Sequence, residues 1–561
     1  MAMTDQARSE TTASHSVFGN PRARSGDSKR AILVAIFLGT LALFLPPSLF
    51  GITVFDEGFI VTGAMQVLHG NLPYRDFLSL YGPGQFFVVA ALFAVFGQQL
   101  IVAHIAHAVL LAGLAVTVYE LSRVAAEARQ AVPIVMVLVY AGVTLYAQPN
   151  VLYPAISATL ALLLAALSLG RYVLHQRQWM LSVTSVLIGI AGTMRWDFGV
   201  FGLIALVVTV TGFILQHQAA RKRWPSVFLC ATGPALGIMV AVYVPLVVIL
   251  SDPTRWYQEI LRYSVVEFPK WRNREFVRPA FWTLVTSWRN GDANQFAQSV
   301  LRLAYVALPL GLALTALGIA ALRLRRRKEF LQDRASAQSF FLCLLTLFLL
   351  NQMRVRTGLW QGFPAAVACL PLLSYLLGLL PADTRLGVAM RTAGSVGGFV
   401  LGAFLFLPAL EGWMHAIDRR AIALDTPRAT GIRVERDWGH YAELINYIRL
   451  RTRDGEPIYS GANDHSRLFI NDPMLYFLAN RPPADRFVEL EPGIANTRSA
   501  QQEILKSLHD KAVRIVVLLD RNDREPNLTS ESNGIHDLDN YLVEYYRPVR
   551  SFGPYNVLEA R

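Results

Sequence analysis

The sequence predicts a polytopic α-helical membrane protein, with about eleven transmembrane helices, that carries a small C-terminal α/β domain. Three observations lead there. Of the 561 residues, 53% are hydrophobic and only 16% are charged, where a soluble chain carries about a quarter charged. Apolar runs near the roughly 20 residues needed to cross a bilayer recur from Ala31 onwards. After Trp413 they stop, and the composition becomes that of a soluble domain.

Taken in order, residues 1–30 are polar and rich in Ser, Thr and Arg, which predicts a disordered N-terminus. The run that follows is full length and lacks a small-residue cleavage pattern, so it reads as a span and not as a cleavable signal. The eleven expected spans are Ala31–Phe50, Leu100–Leu121, Ala131–Tyr146, Val151–Leu169, Met180–Met194, Phe198–Leu215, Val227–Leu250, Leu303–Leu322, Ser339–Leu350, Leu359–Leu380 and Ala393–Leu410, of which the fifth and ninth are short. Gln85–Phe96 is too short to span and reads as a helix lying in the interface. Cys230, Cys343 and Cys369 all fall within spans as small buried hydrophobes. They offer neither a disulfide framework nor metal-ligand spacing.

Short-loop Lys and Arg orient such a bundle. Arg22, Arg24, Lys29 and Arg30, then Arg171 and Arg177, then Arg221, Lys222 and Arg223, then Arg323, Arg325, Arg326, Arg327 and Lys328, fall on one side if the spans are right. That side is expected to be cytoplasmic. The first loop, 51–99, and the C-terminal region, 411–561, then face outward from the membrane domain 31–410. One outer loop, 251–300, breaks the bias with Arg255, Arg262, Lys270, Arg272, Arg274, Arg278 and Arg289. The formal charge of +12 suits anionic headgroups or a phosphorylated lipid better than nucleic acid.

In the C-terminal region, Tyr441, Leu444, Ile445 and Ile448 have helical spacing within Asp437–Leu450. Pro457–Ser460 and Arg514–Leu519 read as buried strands, and Ser499 as the cap of a helix through Ile504, Leu505 and Leu508. Strand, helix and strand suggest a small α/β module. Gly461-Ala462-Asn463-Asp464 does not fit a dinucleotide fingerprint. Asn522–Asn540 reads as a mobile loop, and Asn527-Leu528-Thr529 matches a glycosylation acceptor by pattern alone.

The candidate chemistry sits in the first outer loop. Phe55-Asp56-Glu57-Gly58 follows the first span, then come Pro73-Tyr74-Arg75-Asp76-Phe77 and Tyr81-Gly82-Pro83-Gly84. Adjacent carboxylates at a membrane mouth are costly unless solvated, paired or used. Asp56 either caps the short helix that follows it or serves as a general base. In the second case Glu57 holds the acceptor or tunes Asp56, because adjacent like charges push their pKa values apart. Asp76 reads as a loop organiser bound to Arg75 or to backbone amides. Tyr81, Pro83 and Gly84 read as loop architecture, the last two breaking the chain so that a second interfacial helix can begin.

The order Asp-Glu-Gly, a short helix ending at Gly70, Leu72-Pro73-Tyr74-Arg75-Asp76-Phe77 and Tyr81-Gly82-Pro83-Gly84 resembles the GT-C superfamily of integral membrane glycosyltransferases. The closer likeness is to its bacterial branch near the protein O-mannosyltransferases and the lipid A aminoarabinose transferases. The resemblance implies a hexosyl- or pentosyltransferase that takes a sugar from a polyprenyl-phosphate donor. It implies catalysis at Asp56, with Glu57 beside it, and inversion at the anomeric carbon. The acceptor would be an envelope glycan, lipid or protein. The superfamily admits a divalent metal, and nothing in this sequence demands one. Relatives carry a His or Tyr soon after the late arginine motif, where this chain has Trp360-Gln361-Gly362-Phe363-Pro364.

A phosphate leaving group needs cations, and the planar fork of Arg matches its oxygens. Arg195 is one candidate, with an ion pair to Asp197 or snorkelling to the interface as the plain alternative. Arg354 and Arg356 form a second group. Lys270, Arg272 and Arg274, interleaved with Trp271, form a third, as a lid or as lipid-headgroup contacts. Trp256, Tyr257 and Trp271 fit an interfacial belt as readily as a sugar platform. His104 and His107 share a face of the second span and read better as a hydrogen-bonded pair than as metal ligands, since no third ligand lies nearby. Two other readings stay open: a transporter or flippase of lipid-linked sugars, and a non-catalytic envelope-binding membrane protein. Against the transporter, no internal repeat is visible.

Overall fold

The computed structural model describes residues 21–561 apart from 126–130, 148–150, 275–276, 327–329, 357, 382, 418–420, 521–524 and 526. Arg327 and Lys328 of the sequence reading therefore lie outside the described residues. In chain order the helices are α1 Pro21–Ser48, α2 Asp56–Leu68, α3 Gly84–Phe96, α4 Leu100–Ala125, α5 Ala131–Ala147, α6 Pro154–His175, α7 Gln178–Met194, α8 Trp196–Gln216, α9 Gln218–Lys222 and α10 Trp224–Tyr243. A π-helical segment, Tyr257–Glu267, lies between the short α11 Pro253–Trp256 and α12 Phe268–Trp271; then follow α13 Val277–Asn290, α14 Ala293–Arg326, α15 Arg334–Leu349, α16 Leu359–Gly378 and α17 Arg385–Ile417.

Among the described residues, nine helices are long and apolar enough to cross a membrane, which makes this a multi-pass membrane protein. All eleven expected spans coincide with helices, but α5 and α7 are only 17 residues each. Both are held by packing: α5 lies against α4 and α17, and α7 lies against α6 and α10. The expected disorder over 1–30 is corrected in part, because Pro21 already begins α1; residues 1–20 lie outside the described residues.

At one end of the bundle Lys29 pairs with Glu120, which also holds Arg123, while Arg334 lies beside Arg123 and Arg171. The other end gathers the first loop, the start of α6, the α7–α8 junction and Asn351–Arg356 against the C-terminal domain.

That domain contains α18 Gly439–Arg451, α19 Met474–Ala479, α20 Arg498–Asp510 and α21 Asp537–Tyr545. A two-stranded ladder, β1 Ile422–Ala423 with β2 Arg433–Val434, precedes a four-stranded sheet of β3 Tyr459–Ala462, β4 Ile515–Leu519, β5 Tyr546–Phe552 and β6 Tyr555–Ala560. The sheet order is β3-β4-β6-β5, with β3 and β4 parallel and the remaining pairs antiparallel. Helix α20 connects the parallel pair and buries Ala500, Ile504 and Leu508, one stripe at i, i+4 and i+8. Its cap is Thr497, whose side chain accepts from the Ala500 N–H, and not Ser499. The expected loop over 522–540 also needs correction. Leu528–Ser530 forms a 3₁₀ turn and Asp537 opens α21, while 522–524 and 526 lie outside the described residues. The Asn527 amide is engaged with the Asn273 carbonyl and Glu525.

The first loop is clamped beneath this domain. Met474 N–H donates to the Val54 carbonyl at 3.3 Å, Thr62 Oγ1 donates to the Pro473 carbonyl at 2.9 Å, and Phe93 stacks on Phe477. Gly58 is required by this approach, since a Cβ there would lie 2.5 Å from the Met474 nitrogen. The same docking engages the basic loop 251–300. Arg255 pairs with Glu503, Arg486 binds both Glu259 and Glu503, and Arg274 reaches Glu525. Carboxylates of the C-terminal domain thus pair with Arg255 and Arg274 of that loop.

Candidate active site

Asp56 is the first residue of α2 and not its cap; Phe55 holds the cap position and provides no side-chain cap. An acid in the first turn is favoured by the helix dipole, so the position suits Asp. The half-buried carboxylate accepts the Tyr81 Oη–H at 2.9 Å. Burial, and next the Asp56 charge, hold the Tyr81 phenol well above its usual pKa, so it remains a donor.

Glu57 is different. It is wholly buried, meets His104 Nε2 at 2.6 Å and accepts the Thr53 N–H at 2.9 Å. His104 Nδ1 is bonded to the Ser48 carbonyl, and His107 Nδ1 accepts from Leu152 N–H. This corrects the expectation that Glu57 holds an acceptor: its oxygens face α4 and the end of α1, with no solvent route. Glu57 instead anchors the start of α2.

The Tyr81-Gly82-Pro83-Gly84 turn packs on the end of α7. Gly82 N–H donates to the Met194 carbonyl at 3.0 Å, and a Cβ on Gly82 would sit 2.2 Å from the Thr193 carbonyl oxygen. Pro83 holds the cap position of α3, which begins at Gly84, and a Cβ on Gly84 would sit 2.6 Å from Thr193 Oγ1. Only the absence of side chains at 82 and 84 lets this turn approach the residue before Arg195. Asp76 organises the preceding turn, accepting from Leu72 N–H at 2.7 Å and pairing with Arg75 at 2.6 Å.

A cavity of about 310 Å³ opens beside Tyr81, bounded by Tyr153, Arg195, Arg354, Arg356 and Glu491. Its apolar wall includes Val200, Phe201, Val265 and Phe268. Arg195 is shared: it pairs with Asp197 at 2.9 Å and donates to Tyr153 Oη at 3.3 Å while lining the cavity. Gln352 holds the same Asp197 carboxylate from the other side. Arg356 makes a two-pronged pair with Glu525 at 2.7 and 2.9 Å. Arg354 is exposed, and among the described residues its guanidinium makes no hydrogen bond or ion pair.

The third basic group does not act as a unit. Lys270 is exposed and pairs with Glu267, and Arg274 pairs with Glu525 at 3.7 Å. Arg272 is 7% exposed, donates to the Phe469 carbonyl and lies over the Phe469 ring at 5.0 Å. The C-terminal domain thus covers Arg272, unlike Lys270 and Arg274. Trp271 packs on Gly493 of that domain, and Trp256 meets Tyr74 edge-on.

Two site residues were missed. Glu489 and Glu491, each 8% exposed, lie within electrostatic reach of Asp56 and Arg272. Burial raises both carboxyls. Their like charges raise Glu489 further, whereas Arg272 pulls Glu491 back. The signal was the apolar and acidic alternation Val488-Glu489-Leu490-Glu491. Val488 and Leu490 are fully buried in the domain core. For a cation, the one group of three among the described residues with ligand atoms within 4.8 Å of one another is Asp464, His536 and Asp539.

No protein-family model matches this chain, and no curated protein matches it in sequence. Among solved structures it is similar to ArnT from Cupriavidus metallidurans bound to undecaprenyl phosphate, with a TM-score of 0.53 at 12% identity over 95% of this chain and 98% of that one. The apo state of the same protein gives 0.53 at 13% identity over the same shares. An apo oligosaccharyltransferase from Archaeoglobus fulgidus gives 0.46 at 14% identity, over 87% of this chain and 69% of that one. At such identities the likeness is one of fold. Over nearly its whole length the chain shares the fold of the ArnT structure.

Proposed function

We propose that this protein transfers a sugar from a polyprenyl-phosphate donor to a cell-envelope acceptor at the outer face of a bacterial cytoplasmic membrane. The observation that carries the reading is the neighbourhood of Asp56. Its carboxylate accepts from Tyr81 at 2.9 Å, and Tyr81 lines a cavity bordered by Arg195, Arg354 and Arg356. A lipid tail fits the apolar wall of Val200, Phe201, Val265 and Phe268, and its phosphate meets the arginines. Asp56 removes the acceptor proton, the acceptor attacks the anomeric carbon, and the C–O bond to phosphate breaks on the opposite side with inversion. The leaving phosphate's charge falls on Arg354, with Arg195 and Arg356 available by exchange of their present carboxylate partners. Orientation of donor and acceptor contributes much of the rate.

The test is Asp56→Asn in nanodiscs, assayed with radiolabelled undecaprenyl-phosphoryl sugars. The expected result is retained undecaprenyl phosphate binding with transfer or donor hydrolysis lowered by about a hundredfold or more. Full activity in this variant overturns the assignment. Movement of the lipid between leaflets without transfer, in the unsubstituted protein, favours the flippase reading instead.

A further inference from the structure

The C-terminal domain brings an acidic wall to the cavity that the function proposed above does not yet use. Segment Phe487–Glu491 is pinned by Asn471, whose amide donates to the Val488 carbonyl at 3.1 Å and whose Oδ1 accepts Leu490 N–H at 2.9 Å. Val488 and Leu490 are locked in the core, while Glu489 and Glu491 each keep 8% exposure. Glu491 lines the cavity together with Arg195, Arg354 and Tyr81, and Tyr263 Oη lies 3.4 Å from its carboxylate. Glu489 is 8% exposed, neighbours Asp56, Glu491 and Arg272, and makes no side-chain hydrogen bond among the described residues. No hydrogen bond of the fold takes up its carboxyl, which leaves Glu489 available to a ligand.

We propose that Glu489 and Glu491 form the saccharide-binding wall of this site and hold the hydroxyls of the donor's sugar. The assignment rests on the glycosyltransfer reading and names the part of the donor that meets the outer domain. Charge sorts the ligand along the cavity. Carboxylates repel a phosphate, so the phosphate stays with the arginines, and the sugar, one bond away, falls between them and Asp56. Burial raises both carboxyls and so favours sharing a proton between them. One carboxyl then donates while the other oxygens accept, which matches vicinal hydroxyls that do both. The carboxylates of Asp56, Glu489 and Glu491 are not gathered as cation ligands within 4.8 Å of one another, so a hydroxylated ligand suits them better than a metal.

The experiment uses the full chain in nanodiscs and compares dissociation constants for undecaprenyl phosphate and for its glucose, galactose, mannose and arabinose phosphodiesters. The unsubstituted protein is expected to bind at least one sugar-bearing lipid about tenfold tighter than the bare lipid. Glu489→Ala should erase that gain and leave bare-lipid affinity unchanged, as expected for the loss of one buried hydrogen-bonding group. Should Glu489→Ala fail to fold, Glu489→Gln, close in shape, decides: the preference among the sugars should shift at least about threefold. A sugar-dependent gain that survives in both Glu489 variants and in Glu491→Ala overturns the saccharide wall alone. Absence of any gain in the unsubstituted protein also overturns it. Absence of undecaprenyl phosphate binding in that protein overturns the glycosyltransfer reading together with it.

Discussion

Glu57 Oε1 lies 2.6 Å from His104 Nε2, both side chains buried, and this pair divides the work of the two adjacent first-loop carboxylates. Glu57 fastens α2 to α4. Asp56, turned by about one helical step, faces Tyr81.

Removing one member of such a buried pair leaves the other without compensation, at a cost of roughly 3–5 kcal/mol. His104→Ala should therefore lower the thermal midpoint clearly, read by tryptophan fluorescence in detergent. Activity per folded molecule should fall as well, because the start of α2 loses its anchor. An unchanged midpoint would show that the pair carries no stability.

Tyr81→Phe removes the hydrogen bond that favours ionised Asp56. Loss of a donor to a carboxylate costs about 1.5–3 kcal/mol, so transfer should drop by roughly tenfold or more. The sign of the pH effect follows. Without the donor the Asp56 pKa rises, and the acid limb of the activity profile moves to higher pH. A profile that keeps its acid limb would remove Tyr81 from this role.

Arg354 is exposed and unpaired among the described residues, so Arg354→Ala should leave the thermal midpoint where it is. Undecaprenyl phosphate affinity should weaken about tenfold, the value of a charge-assisted contact. Equal affinity in the variant would move the phosphate elsewhere among the arginines.

Asp472 lies in the core of the C-terminal domain and accepts from Tyr441 at 2.9 Å and Tyr555 at 2.8 Å. Burial outweighs these donors and pushes its carboxyl up to about 7 from an ordinary 3.8. The folded state thus binds a proton that the unfolded chain has released between those values. Stability from this group is fully present below about pH 4 and declines as pH rises through about 7. Denaturant unfolding of the C-terminal domain in the intact protein, measured from pH 4 to 8, should show that decline, and Asp472→Asn should flatten it.

Several elements were legible because they depend on neighbours along the chain. Apolar runs set the helices, and even the short α3 was readable from Gln85–Phe96. Pro83 and Gly84 announced a chain break before a helix, although not that Thr193 crowds it. The superfamily likeness read from the first loop holds at the level of the fold. Arg195 was visible as a candidate together with its rival explanation, and the structure contains the Asp197 pair while also placing Arg195 on the cavity.

What the sequence by itself determined is the membrane-spanning helical architecture, the appended α/β domain and the clustering of Asp56 and Tyr81 in one loop. Hydropathy, spacing and turn residues are local properties, so they survive without coordinates. Only the tertiary structure decided that Glu57 is consumed by His104, that Arg272 is covered, that Glu525 occupies Arg356, and that Glu489 and Glu491 come to stand beside Asp56. Those outcomes are set by which charges meet through space in a medium of low polarity, and chain order does not encode such meetings until the domain docks on the bundle.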